Sequence, residues 1–175
     1  MKIIYCHHAL RNIGNPPTQE DGLKELGIKD AEIVAEILKE MNDKGINIRA
    51  IYSSEYFRCM ETSRLINKYI NVPIIKEKRL NEFSNVHTAV RGLKANAKGE
   101  TWLQCQNRII AAIKDIIYKY EDTDAVVCVT SGVNISPFIS LAYKIVPDDN
   151  IPFPMVPSCS PIAFDINQDR FKYIK

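Results

Sequence analysis

The sequence predicts an α/β fold, a three-layer αβα sandwich whose central sheet is mostly parallel. Short apolar runs alternate along the chain with longer stretches of helical periodicity, the pattern of strands joined by crossover helices. The run 125–130 is apolar without a break, as expected for a central parallel strand that is covered on both faces. Polar residues directly follow several of the predicted strands, and parallel strands bring such positions together at one edge of the sheet.

Five strands and four helices are expected, in strict alternation. The strands are predicted at residues 3–6, 46–52, 72–75, 125–130 and 160–166, the last of them at a sheet edge. The first helix has apolar residues at positions 31, 34, 35, 38 and 41, which form one face at helical spacing. The fourth is expected from about 135 to 145. Residues 83–100 show weak periodicity and the loop 147–157 is rich in proline, so both are predicted to be irregular.

Two of the helices have recognisable first residues. Ser53-Ser54 has the side-chain chemistry of a helix N-cap, and the helix after it is expected to point Phe57, Met60, Leu65 and Tyr69 inward. The long third helix is expected to begin near Thr101, a second candidate cap.

Composition limits the possible functions. The 175 residues suit a single domain over 1–175, and the net charge of +2 gives no argument for nucleic acid or a membrane surface as partner. The first apolar run is too short for a signal peptide, and no stretch is long enough to span a bilayer, so a cytoplasmic location is expected. Five scattered cysteines, with no CxxC pair, indicate reduced thiols, and no ligand spacing predicts a metal site.

The ends of the predicted strands carry side chains suited to phosphoryl transfer. His7 ends the first strand and is a candidate nucleophile, although a histidine that only bonds to backbone is the alternative. Arg58 lies about one turn into the second helix and offers a planar cation for phosphate. Glu82 can transfer a proton to a leaving oxygen. Ser131 stands at a helix start, where backbone amides favour anions.

Five segments, in order along the chain, resemble the histidine phosphatase, or phosphoglycerate mutase-like, superfamily. The most intact is Ser53-Ser-Glu-Tyr-Phe-Arg-Cys-Met-Glu-Thr62, which is similar to that family's S-S-x-x-x-R-x-x-x-T. The other segments are 23–31, similar to L-T-x-x-G-x-x-Q-A; 80–82, similar to L-x-E; 99–101, similar to G-E-S; and 129–132, similar to V-S/T-H-G. The resemblance implies that His7 takes up the phosphoryl group, Arg58 clamps it and Glu82 is the general acid, with no metal or organic cofactor.

The chain departs from the family pattern at the motifs nearest the chemistry. The family opens R-H-G-E-T-x-x-N; here Cys6 replaces the arginine beside the nucleophile and His8 replaces the glycine. The asparagine is shifted to Asn12 or Asn15, or is absent. Ser131 stands where the family has its second histidine. Loss of one preorganised donor to developing charge typically costs about 10²–10³ in rate, so these replacements are serious.

Nearby residues can compensate for these replacements, and they complete the predicted phosphate-binding group. His8 can turn into the pocket, Ser131 keeps a hydroxyl donor, and Arg11 can reach back toward His7, although a solvated loop is the alternative for His8 and Arg11. The predicted group is therefore Arg58 with Ser131, His8 and Asn12. Two functions stay open: a divergent phosphomonoesterase acting on a phosphorylated metabolite or phosphoprotein, and a non-catalytic relative that binds an anion, a metabolite or a protein.

Overall fold

The computed structural model describes residues 1–14, 19–83, 100–148 and 156–166. Strands and helices alternate along them as predicted. In chain order they are β1 (Lys2–His7), α1 (Glu25–Asp43), β2 (Asn47–Ser53), α2 (Phe57–Ile70), β3 (Ile74–Lys76), α3 (Trp102–Ile117), β4 (Asp124–Thr130), α4 (Ile135–Tyr143) and β5 (Pro161–Asp165). Two short 3-10 turns, Lys78–Leu80 and Gly132–Asn134, follow β3 and β4.

The five strands form one sheet in the order β3-β2-β4-β1-β5. The first four are parallel to their neighbours, and β5 pairs antiparallel with β1 at the edge. Every residue of β4 is buried, in agreement with the central position that its apolar run predicts. Because β1, β2 and β4 run the same way, their carboxyl ends lie side by side at one edge of the sheet.

Alternate residues of β1 contact different helical layers. Ile3 and Tyr5 belong to the apolar cluster that packs against α3 and α4. Ile4 and Cys6 belong to the cluster on the opposite face, which α1 and α2 cover. This two-residue alternation is what a strand requires when both of its faces are buried. The arrangement is the predicted three-layer sandwich.

The structure agrees with the predicted face of α1 and with the predicted start of α3. On α1, Ala31, Val34, Ala35 and Leu38 are buried, and Met41 is partly buried against the same apolar cluster. Thr101 caps α3 through a capping box with Gln104, as its position predicts.

The predictions for α2 need two corrections. Met60 and Leu65 are buried, but Phe57 is 40 % exposed and Tyr69 is 36 % exposed. Phe57 begins the helix after Tyr56, and neither Ser53 nor Ser54 caps it. Ser54 instead donates to Oδ1 of Asn81 at 2.8 Å, a contact made across the sheet edge.

Two predicted segments fall largely outside the described residues. The irregular stretch predicted at 83–100 is described only at its two ends, and the loop predicted at 147–157 is described only at residues 147, 148, 156 and 157. The helix predicted to reach 145 ends at Tyr143. Of the helices that the structure describes, none is both long and apolar enough to cross a bilayer.

Candidate active site

The carboxyl ends of β1, β2 and β4 are joined directly by backbone hydrogen bonds. His7 lies opposite Thr130 in the β1–β4 register. The amide of His8 donates to the Thr130 carbonyl at 2.9 Å, and the amide of Ser54 donates to the Val129 carbonyl at 2.9 Å. The residues that follow these strands are therefore fixed relative to one another. This is the edge at which the sequence predicts the site.

The ring of His7 is held in one tautomer. Its Nδ1 lies 2.7 Å from the carbonyl oxygen of Val156, and a carbonyl can only accept, so Nδ1 carries the proton. The lone pair is then on Nε2, which makes no hydrogen bond to the described residues. Burial lowers the pKa of His7, and this effect outweighs the nearby backbone carbonyls of Val156 and Pro157, which favour the protonated ring. A neutral imidazole with a free Nε2 is the form that a nucleophile needs.

The imidazole of His7 packs directly against Gly132. A Cβ at this position would lie 2.7 Å from Cε1 of His7, closer than side-chain carbons approach one another. The hydroxyl of Tyr5 donates to the carbonyls of Ser131 and Gly132, at 2.9 and 3.2 Å, and fixes the backbone there. The glycine predicted in the segment after β4 therefore serves close packing against the candidate nucleophile.

His8 is a different kind of histidine. It is 6 % exposed, its Nδ1 lies 2.8 Å from the Ala9 carbonyl, and its Nε2 accepts from Nε of Arg58 at 3.1 Å. Burial and then the charges of His7 and Arg58 lower the pKa of His8 well below its ordinary value. Both ring nitrogens are occupied and the ring is neutral. His8 thus orients Arg58, whereas the sequence predicted that it turns into the pocket to bind phosphate.

Arg58, Glu82 and Ser131 form one hydrogen-bonded group. Arg58 is 2 % exposed, and its Nη2 donates to Oε2 of Glu82 at 2.6 Å. The hydroxyl of Ser131 donates to the other carboxylate oxygen, Oε1, at 2.7 Å. The ring of Tyr56 stacks on the guanidinium, 4.7 Å from Cζ to the ring centroid. The structure thus brings together the predicted clamp, the predicted acid and the residue at the second histidine's position.

A second network, which the sequence analysis missed, fixes Glu82. The side-chain Nδ2 of Asn134 donates to the carbonyls of Leu80 and Asn81 at 3.2 and 3.0 Å, and the hydroxyl of Thr130 also donates to the Leu80 carbonyl. These bonds tie the segment before Glu82 to the end of β4. Asn134 lies three residues beyond Ser131, and no motif in the sequence distinguishes it.

Thr62 anchors the loop that follows β1. Its hydroxyl oxygen accepts from the amide of Ala9 at 3.0 Å and donates to the carbonyl of Arg58 at 2.8 Å. The same side chain therefore connects the residue after His8 to the helical turn that presents Arg58. Thr62 is the last residue of the segment 53–62 on which the resemblance rests, so its motif position was a usable signal.

Three residues near β1 lie away from this group. The side chain of Asn12 donates to the Leu23 carbonyl at 3.2 Å, so the structure does not place it with the other predicted phosphate ligands. Arg11 pairs with Asp21 at 3.2 Å and does not reach back toward His7. Cys6 is fully buried in the apolar cluster under α1 and α2, and burial raises the pKa of its thiol. It provides no charge in place of the missing arginine.

An open cavity of about 320 Å³ adjoins Glu82. It is lined by Tyr56, Lys78, Arg79, Asn81, Glu82, Glu100 and Arg108. Within the described ranges, no group of three or more histidine, cysteine or acidic side chains is arranged to hold a metal ion. The candidate reacting groups at this edge are the imidazole of His7, the guanidinium of Arg58, the carboxyl of Glu82 and the hydroxyl of Ser131.

The family model of the histidine phosphatase superfamily (branch 1) matches residues 14–91 and 85–175. The chain belongs to this superfamily. The matched residues include Arg58, Glu82 and Ser131 but begin after His7. No curated protein matches the chain by sequence.

Solved structures of several phosphatases share the fold over nearly the whole chain. A mycobacterial glucosyl-3-phosphoglycerate phosphatase, in complex with VO3, superposes with a TM-score of 0.72 at 17% identity, covering 93% of this chain and 90% of that one. The protein histidine phosphatase SixA, in complex with tungstate, gives 0.68 at 12% identity, covering 97% and 90%. The ecdysone phosphate phosphatase of Bombix mori gives 0.64 at 17% identity, covering 93% and 88%. At these identities the likeness is one of fold.

Proposed function

We propose that this protein is a divergent phosphomonoesterase that works through a phosphohistidine intermediate on His7. The observation that carries the proposal is the bond from Nδ1 of His7 to the Val156 carbonyl, which leaves the Nε2 lone pair free at the sheet edge. His8, the neighbouring histidine, has both nitrogens occupied and is excluded from that role. Arg58 and Glu82, the two other groups that the reaction needs, are in direct contact beside them.

In the first step, Nε2 of His7 attacks phosphorus and the bond from phosphorus to the leaving oxygen breaks. The leaving oxygen takes a proton from the carboxyl of Glu82, while Arg58 stabilises the charge on the phosphoryl oxygens. Substrate must first replace Glu82 as the acceptor for Nη2 of Arg58. Once that guanidinium is bound to phosphate, the carboxyl of Glu82 is free to face the leaving oxygen.

In the second step, water attacks the phosphohistidine and the P–N bond breaks. The carboxylate of Glu82 takes a proton from the water, and His7 regains its lone pair as orthophosphate leaves. Ser131 holds Oε1 of Glu82 by its 2.7 Å hydrogen bond, which directs the other carboxylate oxygen for both proton transfers. Ser131 therefore acts through Glu82, in addition to the phosphate-binding role predicted for it.

The substrate class that we propose is a phosphorylated small molecule or a phosphoprotein. The named activities of the similar structures support a phosphorylated substrate, since they are phosphatases of protein histidine, glucosyl-3-phosphoglycerate and ecdysone phosphate. A cytoplasmic location is part of the proposal, and the five unpaired cysteines support it.

One observation favours the second candidate, a non-catalytic anion-binding relative. Arg58 and Ser131 both donate to Glu82, so two of the predicted phosphate ligands are bound to the protein's own carboxylate. Cys6 and Ser131 also remove two donors that the family pattern has. This second function predicts phosphate binding without turnover.

Turnover of an aryl phosphate by the wild type and by His7→Ala, measured from pH 5 to 8, separates the two functions. We expect activity in the wild type and a loss of at least about 10³-fold in His7→Ala, because the nucleophile is removed. Equal background rates in both proteins, with orthophosphate still bound by the wild type, would establish the non-catalytic function instead. Thermal unfolding of both proteins confirms that His7→Ala is folded.

A further inference from the structure

The cavity beside Glu82 lies on the leaving-group side of the proposed reaction. Glu82 is shared by the candidate active site and the cavity: its carboxylate contacts Arg58 and Ser131, and its side chain lines the cavity. A substrate whose leaving oxygen takes a proton from Glu82 therefore places the rest of its leaving group in this space. The volume of about 320 Å³ is at the small end for ligand sites, and suits a compact organic group.

Most of the charge that lines the cavity is already paired. Arg79 donates to Asp115 at 2.6 Å and to Glu77 at 2.8 Å. Arg108 makes two bonds to Glu100, one of them from Nη2 at 2.8 Å, and Nη1 also donates to the Arg79 carbonyl. These arginines hold the wall of the cavity in place and have little capacity left for a ligand.

Lys78 is the exception among the charged residues of this wall. It is exposed, and its ammonium has no hydrogen-bond or ion-pair partner in the described part of the chain. The backbone of Lys78 is held by the 3-10 turn Lys78–Leu80, whose cap Glu77 accepts from the backbone amide of Arg79 at 3.0 Å. An ammonium on a rigid turn beside a cavity can pair with an acceptor on a ligand.

We propose that this cavity is a leaving-group subsite and that Lys78 selects substrates whose leaving group carries a carboxylate. The inference rests on the proposed function of the His7 site. The single unpaired ammonium among the described residues of the wall, that of Lys78, is balanced by the single negative charge of a carboxylate. A second phosphate carries nearly two negative charges, and the ammonium of Lys78 balances only one of them. The ring of Tyr56, half-buried and also in the wall, supplies a flat surface for an apolar leaving group.

The test compares two phosphonates that cannot be hydrolysed, 4-carboxybenzylphosphonate and its neutral amide, 4-carbamoylbenzylphosphonate. Calorimetry measures both with the wild type, Lys78→Gln, Lys78→Arg and Lys76→Gln. Lys76, the matched control, is an exposed lysine on β3 that does not line the cavity. We expect about a fivefold preference for the carboxylate in the wild type, the upper range for an exposed ion pair. The preference should persist in Lys78→Arg and Lys76→Gln and disappear in Lys78→Gln.

Several results would overturn the subsite. These are equal binding of both probes by the wild type, an unchanged preference in Lys78→Gln, and tighter binding of an analogue in which phosphonate replaces the carboxylate. A failure of both probes to bind would remove the anion site together with the subsite. If the protein turns over no phosphate ester and still prefers the carboxylate probe in a way that depends on Lys78, that result would support the subsite and contradict only the proposed catalysis.

The preference for the carboxylate probe should also shrink in 0.5 M salt, because Lys78 is exposed.

Discussion

Nη2 of Arg58 donates to Oε2 of Glu82 at 2.6 Å, so the guanidinium that is assigned to substrate phosphate is bound to the assigned proton donor. Arg58 is 2 % exposed, and a buried guanidinium without an anion carries a large desolvation cost. In the absence of substrate, the carboxylate of Glu82 is the anion that pairs with Arg58. The carboxylate and a phosphate therefore compete for one cation, and the strength of phosphate binding depends on Glu82.

Glu82→Gln is expected to separate anion binding from catalysis. The amide cannot match a carboxylate as partner for Arg58, so orthophosphate should bind about tenfold more tightly than to the wild type. Turnover of a phosphate ester with a poor leaving group should fall by about 10²–10⁴-fold, because no proton donor remains. Calorimetry with orthophosphate and a steady-state phosphate assay measure the two effects.

The matched control is Glu77→Gln, which also removes a carboxylate from an arginine. Glu77 pairs with Arg79 at 2.8 Å and has no contact with Arg58. We expect phosphate affinity in this variant to equal that of the wild type. Weaker phosphate binding in Glu82→Gln would contradict the competition and would indicate that Glu82 supports the anion site.

Gly132→Ala is expected to displace the imidazole of His7. The added Cβ would lie 2.7 Å from Cε1 of His7, so the ring must move by several tenths of an ångström. A displacement of about 1 Å can cost about 10²-fold, so this smaller shift should lower kcat/KM by about tenfold or more. Gly45→Ala is the control, because a Cβ at Gly45 meets nothing within 4 Å although its φ of 94° makes alanine strained. It should lose stability and keep wild-type kcat/KM; full activity in Gly132→Ala would show that His7 is not held by this contact.

His8 is expected to make the fold less stable in mild acid. Its pKa in the folded protein lies well below the ordinary value of 6.5, so between those two values the unfolded chain binds more protons. The stabilisation is complete above pH 6.5 and is lost as the pH falls below it, by up to about 1.4 kcal/mol per pH unit.

Urea unfolding at pH 7.5, 6.5 and 5.5 measures this dependence. His8→Gln keeps an acceptor for Arg58 without a titrating ring, so its free energy of unfolding should depend less on pH over this range. His7, whose pKa is also lowered, remains in the variant and accounts for part of the residual slope. A slope identical to that of the wild type would mean that His8 is protonated in the folded state without cost.

The fold was predictable from sequence because the spacing of apolar residues indicates each helix and strand, and the face that it buries, from local sequence alone. The unbroken apolar run of β4 indicated its central position, and the α1 stripe from Ala31 to Leu38 indicated the buried face. Phe57 and Tyr69 were placed wrongly because aromatic residues also occur at exposed helix positions, and apolar spacing alone does not distinguish these cases.

The residues that meet at the candidate site were predictable from sequence. The role of each histidine was not, because it depends on hydrogen-bond partners elsewhere in the fold. His7, Arg58, Glu82 and Ser131 follow strand ends or occupy motif positions, so topology alone brings them together. The different roles of His7 and His8 depend on which carbonyl and which guanidinium each ring meets. Those partners are between 1 and 149 positions away in sequence, and no local pattern specifies them.

If Nε2 of His7 receives the phosphoryl group, rapid-quench trapping will capture the phosphohistidine that forms. Wild type, His7→Ala and His8→Gln are mixed with a ³²P-labelled aryl phosphate, quenched in alkali within milliseconds, and mapped by mass spectrometry. We expect an acid-labile, alkali-stable phosphate on His7, absent in His7→Ala and present in His8→Gln. Label on another residue, or turnover in the wild type with no label on His7 at any quench time, would contradict the account.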